Sequence, residues 1–187
     1  MIKPAIKEIG LSKALKYIIG NFCLLLFNLM FISPLRVLYL KLFGVKIGQG
    51  TVIENITFIN LYRTGLKGLK IGSNCFIGAE TMLDLAGQIT IYDNVTIAER
   101  VTILTHMNVG YKSHPLQKYY PSTTKNVIIE SGVFIGTGSI ILPGVKIHKN
   151  SLIGAGSVVN SDVGSNSVVA GVPAKLIKRL EDDNVEK

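Results

Sequence analysis

Tryptophan is absent from the chain, and cysteine occurs only twice, at Cys23 and Cys75. Neither cysteine belongs to a CxxC pair, so no disulfide or thiolate-metal framework is expected, and a reducing, cytosolic compartment fits best. Charge is sparse as well, at 17% of residues against a usual share of about a quarter. Hydrophobic residues make up 48%, so the low hydrophobicity and high charge that disorder requires are missing. Basic side chains outnumber acidic ones to a net +8, which favours acidic partners such as phosphates or anionic head groups. No dense basic run or aromatic-spaced basic strip occurs, so nucleic acid is not the expected partner. Glycine, in contrast, is abundant, with 19 residues, as suits a fold of many tight turns. At 187 residues the chain is long enough for one well-cored domain and short for two.

Residues 1–44 form a distinct N-terminal hydrophobic segment. Between Lys16 and Arg36 no residue is charged, and Lys3, Lys7, Lys13 and Lys16 precede the apolar run. Its length approaches the ~20 residues that span a bilayer, but Gly20, Asn21, Asn28 and Ser33 interrupt it. No small-residue cleavage site marks it as a signal peptide. Three arrangements stay open: a helical hairpin lying on an anionic membrane surface through residues 12–44, helices packed on the rest of the protein, or a true span. The second helix is expected over PLRVLYLKLF, with Pro34 in the first turn and a stop before Gly44.

From Val45 the sequence reads in sixes: VKIGQG, TVIENI, LKIGSN, CFIGAE, ITIYDN, VTIAER, VTILTH, then VIIESG, VFIGTG, SIILPG, VKIHKN, SLIGAG and SVVNSD. The third position is Ile or Val in each. Such a hexad is a short flat strand followed by a turn. Three of them make one triangular coil of about 18 residues, stacked on the next at ~4.8 Å. The third-position side chain points inward, and Gly, Asn and Asp at the corners relieve unusual backbone angles. An antiparallel barrel with period-two strands would not keep a period of six from Val127 through Asp162.

This pattern resembles the hexapeptide repeat of the left-handed parallel β-helix acyltransferases, and within them the sugar and polysaccharide O-acetyltransferases. The resemblance runs from about Val45 to Arg179 and is most specific in SIILPGVKIHKNSLIGAGSVV and VVAGVPAKLIKR. It implies a mainly β fold: a left-handed β-helix over 45–170, an extended loop at 107–126, and a C-terminal turn and short helix over 171–187. It also implies a homotrimer, acetyl-CoA as acyl donor, no metal requirement, and a hydroxyl acceptor on a cell-surface polysaccharide or its lipid-linked precursor. N-acylation of an amino sugar, a zinc hydratase on the same fold, and a non-catalytic scaffold are the alternatives.

Departures from a regular coil mark loops, and loops carry function. LYRTGLKG at 61–68 is irregular, TMLDLAGQ is two residues too long, and 107–126 leaves the register altogether. His106 ends a regular hexad just before that loop, whereas His114 lies within it. In the enzymes this chain resembles, the catalytic histidine stands at the end of a coil before an extended loop, in a Thr-His motif matched by Thr105-His106. That makes His106 the expected general base and His114 the alternative, with Asn108 as orienting partner where an Asp is often found. A neutral imidazole suits proton removal from a hydroxyl, while neither cysteine is placed for a covalent intermediate. The resemblance further implies contacts to coenzyme A from Thr137, Ala155, Asn160 and Ser161, with Lys175 and Lys178 near its phosphates. On the acceptor side it points to Asp84, and the loop residues Lys118, Tyr119 and Tyr120 have the chemistry to bind a sugar. His148 replaces a corner glycine away from any break and reads as a surface residue.

Overall fold

Extended segments of two to four residues recur along the chain of the computed structural model, which describes residues 11–111 and 113–180. They assemble into three parallel sheets. One contains Lys46–Ile47, Leu69–Ile71, Ile89–Ile91, Val127–Ile129 and Lys146–Ile147. The second contains Val52–Ile53, Phe76–Ile77, Thr96–Ile97, Phe134–Ile135, Leu152–Ile153 and Ser167–Ala170. The third contains Thr57–Ile59, Met82–Asp84, Thr102–Ile103, Ile140–Ile141 and Val158–Val159. Successive strands visit the three sheets in turn, so the chain winds as the parallel β-helix that the repeat predicts, and its left hand is the one that the resemblance implies.

Register follows the hexads. Phe134 pairs with Leu152 and Ile140 with Val158, both eighteen residues on. Around the lengthened TMLDLAGQ the offset is twenty, as in Met82 to Thr102. Third-position side chains fill the interior: Ile53, Ile77, Ile97, Ile103, Ile135, Ile141 and Ile153 have no exposed surface. Each contributes roughly 1.5–3 kcal/mol of burial, and truncating one to Ala would cost about 2–5 kcal/mol. Small polar residues at first positions are buried too, and their hydroxyls bond to the neighbouring coil, as Thr51 Oγ1 to the Gly72 carbonyl at 2.7 Å and Ser139 Oγ to that of Gly154 at 2.9 Å. Corners take left-handed backbone, at Asn74, Asn94 and Asn150 among others. Gly78 serves close approach instead, because a Cβ there would lie 2.7 Å from the Ala98 carbonyl carbon of the next coil.

Two helices, α1 (Leu11–Asn28) and α2 (Ser33–Leu42), close the N-terminal end of the stack. Phe27 meets Phe58 edge-on at 5.4 Å and Tyr39 at 5.9 Å, while Ser33 Oγ accepts from the Ile53 amide at 2.8 Å. Arg36 is buried and donates to the Ile53 carbonyl and to Glu54. Among the described residues no helix is long and apolar enough to cross a membrane.

The C-terminal segment differs from expectation. In place of a helix after the Gly171–Ala174 turn, Lys175–Arg179 forms a strand antiparallel to Ser167–Ala170. That last coil would otherwise present an open edge, and pairing covers it. Residues 181–187 of the expected helix lie outside the described residues.

Candidate active site

The third sheet stacks Ile59 on Asp84, and Leu83 on Ile103 one coil further. This arrangement puts Asn60, Asp84 and the Thr105-His106 pair in one column at the end of that sheet. The lengthened hexad turns Asp84 inward, where its Oδ1 accepts from the Ala86 amide at 3.0 Å and from Asn60 Nδ2 at 2.8 Å. Oδ2 accepts from the amides of Thr105 at 2.9 Å and His106 at 3.1 Å, and lies 2.6 Å from His106 Nδ1. Thr105, fully buried, donates to the Asp84 carbonyl and accepts from the Gly87 amide.

The Asp84 side chain has no exposed surface, whereas 23% of the His106 side chain remains open. Burial pushes the carboxyl upward, but hydrogen bonds from His106, Asn60, Thr105 and Ala86 outweigh it and hold Asp84 below its ordinary range. A buried anion of this kind persists only when its oxygens are satisfied. An ionised carboxylate can only accept, so the proton on the facing imidazole belongs on Nδ1. Nε2 then carries the lone pair and is the nitrogen left to take a proton.

Two expectations change here. Asp84 has no exposed surface to offer an acceptor sugar, and its carboxylate is the partner of His106 Nδ1 instead. Asn108 is not that partner: its Oδ1 accepts from the Gly110 amide and from Gln117 Nε2 within the loop. His114 is exposed and caps the short 3-10 helix Pro115–Lys118, its Nδ1 accepting from the Leu116 amide at 3.2 Å. His148 lies beside Glu130, which also pairs with Lys146.

The loop leaves the coil as a small ribbon, with His106–Met107 antiparallel to Thr123–Thr124. His106 and Thr124 are directly opposite and so project to the same face. Arg63 Nη1 donates to Thr124 Oγ1 at 3.0 Å. Asn60 and Arg63, on the irregular 61–68 turn and its lead-in, were not among the sequence candidates. Lys118 stands 4.7 Å from the Tyr119 ring, and Lys118, Tyr119 and Tyr120 are all exposed on the loop.

The remaining candidates divide between two edges of the prism. Thr137 and Ala155 follow strands of the second sheet, Gly154 nearly touches Ala170, and Ala170 pairs with Lys175. This brings Thr137, Ala155 and Lys175 along one edge, with Lys178 exposed on the same terminal strand. Asn160 and Ser161 follow the third sheet, on the edge that carries His106. Ser161 lines a cavity of about 170 Å³ with Arg179. Among the described residues no group of His, Cys, Asp or Glu is placed to hold a metal ion.

Two repeat families match, the bacterial transferase hexapeptide over 126–161 and the hexapeptide repeat of succinyl-transferase over 68–99. The dTDP-4-amino-4,6-dideoxy-D-glucose acyltransferase of Escherichia coli is 32% identical over 154 residues, covering 77% of this chain and 79% of the relative. A galactoside O-acetyltransferase of Lactococcus lactis is 31% identical over 134 residues, covering 62% of this chain, which spans only 65% of that relative's length. A solved galactoside acetyltransferase in complex with coenzyme A superposes with a TM-score of 0.77 at 29% identity, covering 92% of this chain and 84% of that structure.

Proposed function

We propose, since this chain belongs to the hexapeptide-repeat acyltransferase family, that it transfers an acetyl group from acetyl-CoA to a sugar hydroxyl. The acceptor is a cell-surface polysaccharide or its lipid-linked precursor. The observation that carries this reading is the 2.6 Å contact between buried Asp84 and partly exposed His106.

His106 Nε2 removes the hydroxyl proton as the oxygen attacks the thioester carbonyl. The tetrahedral adduct collapses, the carbon–sulfur bond breaks, and the imidazolium returns its proton to the departing thiolate. Asp84 fixes the tautomer beforehand and balances the charge on the ring while it holds the proton. General-base catalysis of this kind contributes typically ~10²–10⁴-fold. Thr137 and Ala155 would contact the pantetheine arm, and Lys175 and Lys178 its phosphates. Thr137, Ala155, Lys175 and Lys178 stand on a different edge of the prism from His106, so in a homotrimer the donor groove of one subunit would serve the base of a neighbour, with Asn160 and Ser161 on the edge of that base. Arg63 stands on the acceptor side of His106.

The amino-sugar acyltransferase relative favours one second reading, N-acylation, which the same base would serve. Incubating the protein with acetyl-CoA and a panel of hydroxyl sugars and amino sugars, while detecting free thiol, separates the two. Acceptor-dependent thiol release with hydroxyl sugars is the expected result. Release with amines alone selects N-acylation, and release with none of them contradicts both.

A further inference from the structure

Helix α1 buries one side and leaves the other bare. Phe27 is inside, Leu24 and Met30 pack against the core, and Gly20 lies against Leu61. Opposite them, Leu15, Ile18, Ile19, Phe22, Leu25 and Leu29 are each more than half exposed. Their spacing of three and four residues makes a continuous apolar stripe about 21 Å long. The turn adds Phe31 at 78% exposed, and α2 adds Leu38 at 54% and Leu42 at 76%. Water-exposed apolar patches of this extent mark an interface.

Charge identifies the occupant. No acidic residue occurs between Glu8 and Glu54, while Lys16, Lys41 and Lys46 are exposed along the same stretch. With no described helix suited to crossing a bilayer, an apolar stripe flanked only by cations fits one that lies in the surface plane of an anionic bilayer. The hairpin is also joined to the candidate site. A cleft of about 260 Å³ separates α1 from the segment bearing Asn60, with Tyr17, Asn21 and Tyr62 on its walls. Asn60 in turn holds Asp84.

We propose that the α1–α2 hairpin docks this protein on the surface of an anionic lipid bilayer, with the acceptor side of the His106 site beside the membrane. The docking itself does not depend on the acyl-transfer reading, but the advantage of placing lipid-linked acceptors near His106 does.

Flotation of the full chain with mixed phosphatidylglycerol–phosphatidylcholine vesicles, compared with pure phosphatidylcholine, tests it. Binding to the mixed vesicles is expected, weakening with added salt. The Ile18→Asp/Phe22→Asp variant should bind at least tenfold more weakly, and so should Lys16→Glu/Lys41→Glu, which leaves the apolar stripe intact. Thiol release with a soluble acceptor should be unchanged in both, so a failure of docking and a failure of catalysis read out separately. Absence of flotation, or equal binding by all three proteins, overturns the proposal. So does a wild-type assembly that shrinks in the Ile18→Asp/Phe22→Asp variant, because the stripe would then join copies of this chain.

Discussion

His106 and His114 are eight residues apart, and both stand where the coil gives way to a loop, but their surroundings give opposite proton arrangements. At His106 a buried carboxylate faces Nδ1 and leaves Nε2 as the lone-pair nitrogen. At His114 a backbone amide donates to Nδ1, so a neutral ring there bears its proton on Nε2. One ring faces a carboxylate that Asn60, Ala86 and the Thr105-His106 backbone hold in the stacked coil, and the other caps a single turn of exposed loop. The comparison teaches that the coil supplies more than position. By stacking Asp84 against the Thr105-His106 backbone it selects which imidazole nitrogen meets a substrate.

The largest expected effect in breaking this asymmetry is from His106→Ala, which should lower acetyl transfer by ~10²–10⁴-fold while acetyl-CoA binding, followed by calorimetry, is retained. Next comes Asp84→Asn. Both carboxylate oxygens only accept, so an amide nitrogen at either position faces a donor and leaves it unsatisfied. A loss of about 1–3 kcal/mol in thermal or denaturant unfolding is expected, with kcat falling as well because the imidazole is no longer held in the Nδ1-protonated tautomer. The pH dependence has a definite sign. Because Asp84 titrates below its ordinary 3.8 in the folded protein, its contribution is present above that value and is lost as pH falls through the folded one. Unfolding curves of Asp84→Asn should lack this acid-side component.

Smaller effects sharpen the comparison. Arg63→Ala should raise the acceptor KM roughly threefold to tenfold with little change in kcat, as expected for a lost charged hydrogen bond at a binding surface. Saturation curves against acceptor measure it. His114→Ala removes only a loop cap and should change kcat by less than about threefold, which the same thiol assay detects.

Much of this fold is legible in the sequence because one side chain recurs every six residues and has one place to go. Ile135 and Ile153 are buried for the same reason, and their pairing is fixed by counting eighteen residues. His106 is legible because the period stops beside it. Asp84 is visible as a break, but its role depends on stacking: the twenty-residue offset of that coil sets it beneath residues 104–106, a signal that counting could have supplied. Asn60 follows from the same column one coil lower. Arg63 has no such signature, since its contact with Thr124 crosses between two irregular segments. The terminal strand has no signature of its own, because local propensity says nothing of an unpaired edge at Ser167–Ala170.

The central claim is that Asp84 leaves Nε2 of His106 free to act as base, and nitrogen-15 NMR of the imidazoles in the intact protein tests it most directly. In its neutral form the His106 ring should carry its proton on Nδ1, changing in Asp84→Asn, while His114 is unaffected by that substitution. A His106 proton found on Nε2 in the wild-type protein would contradict it.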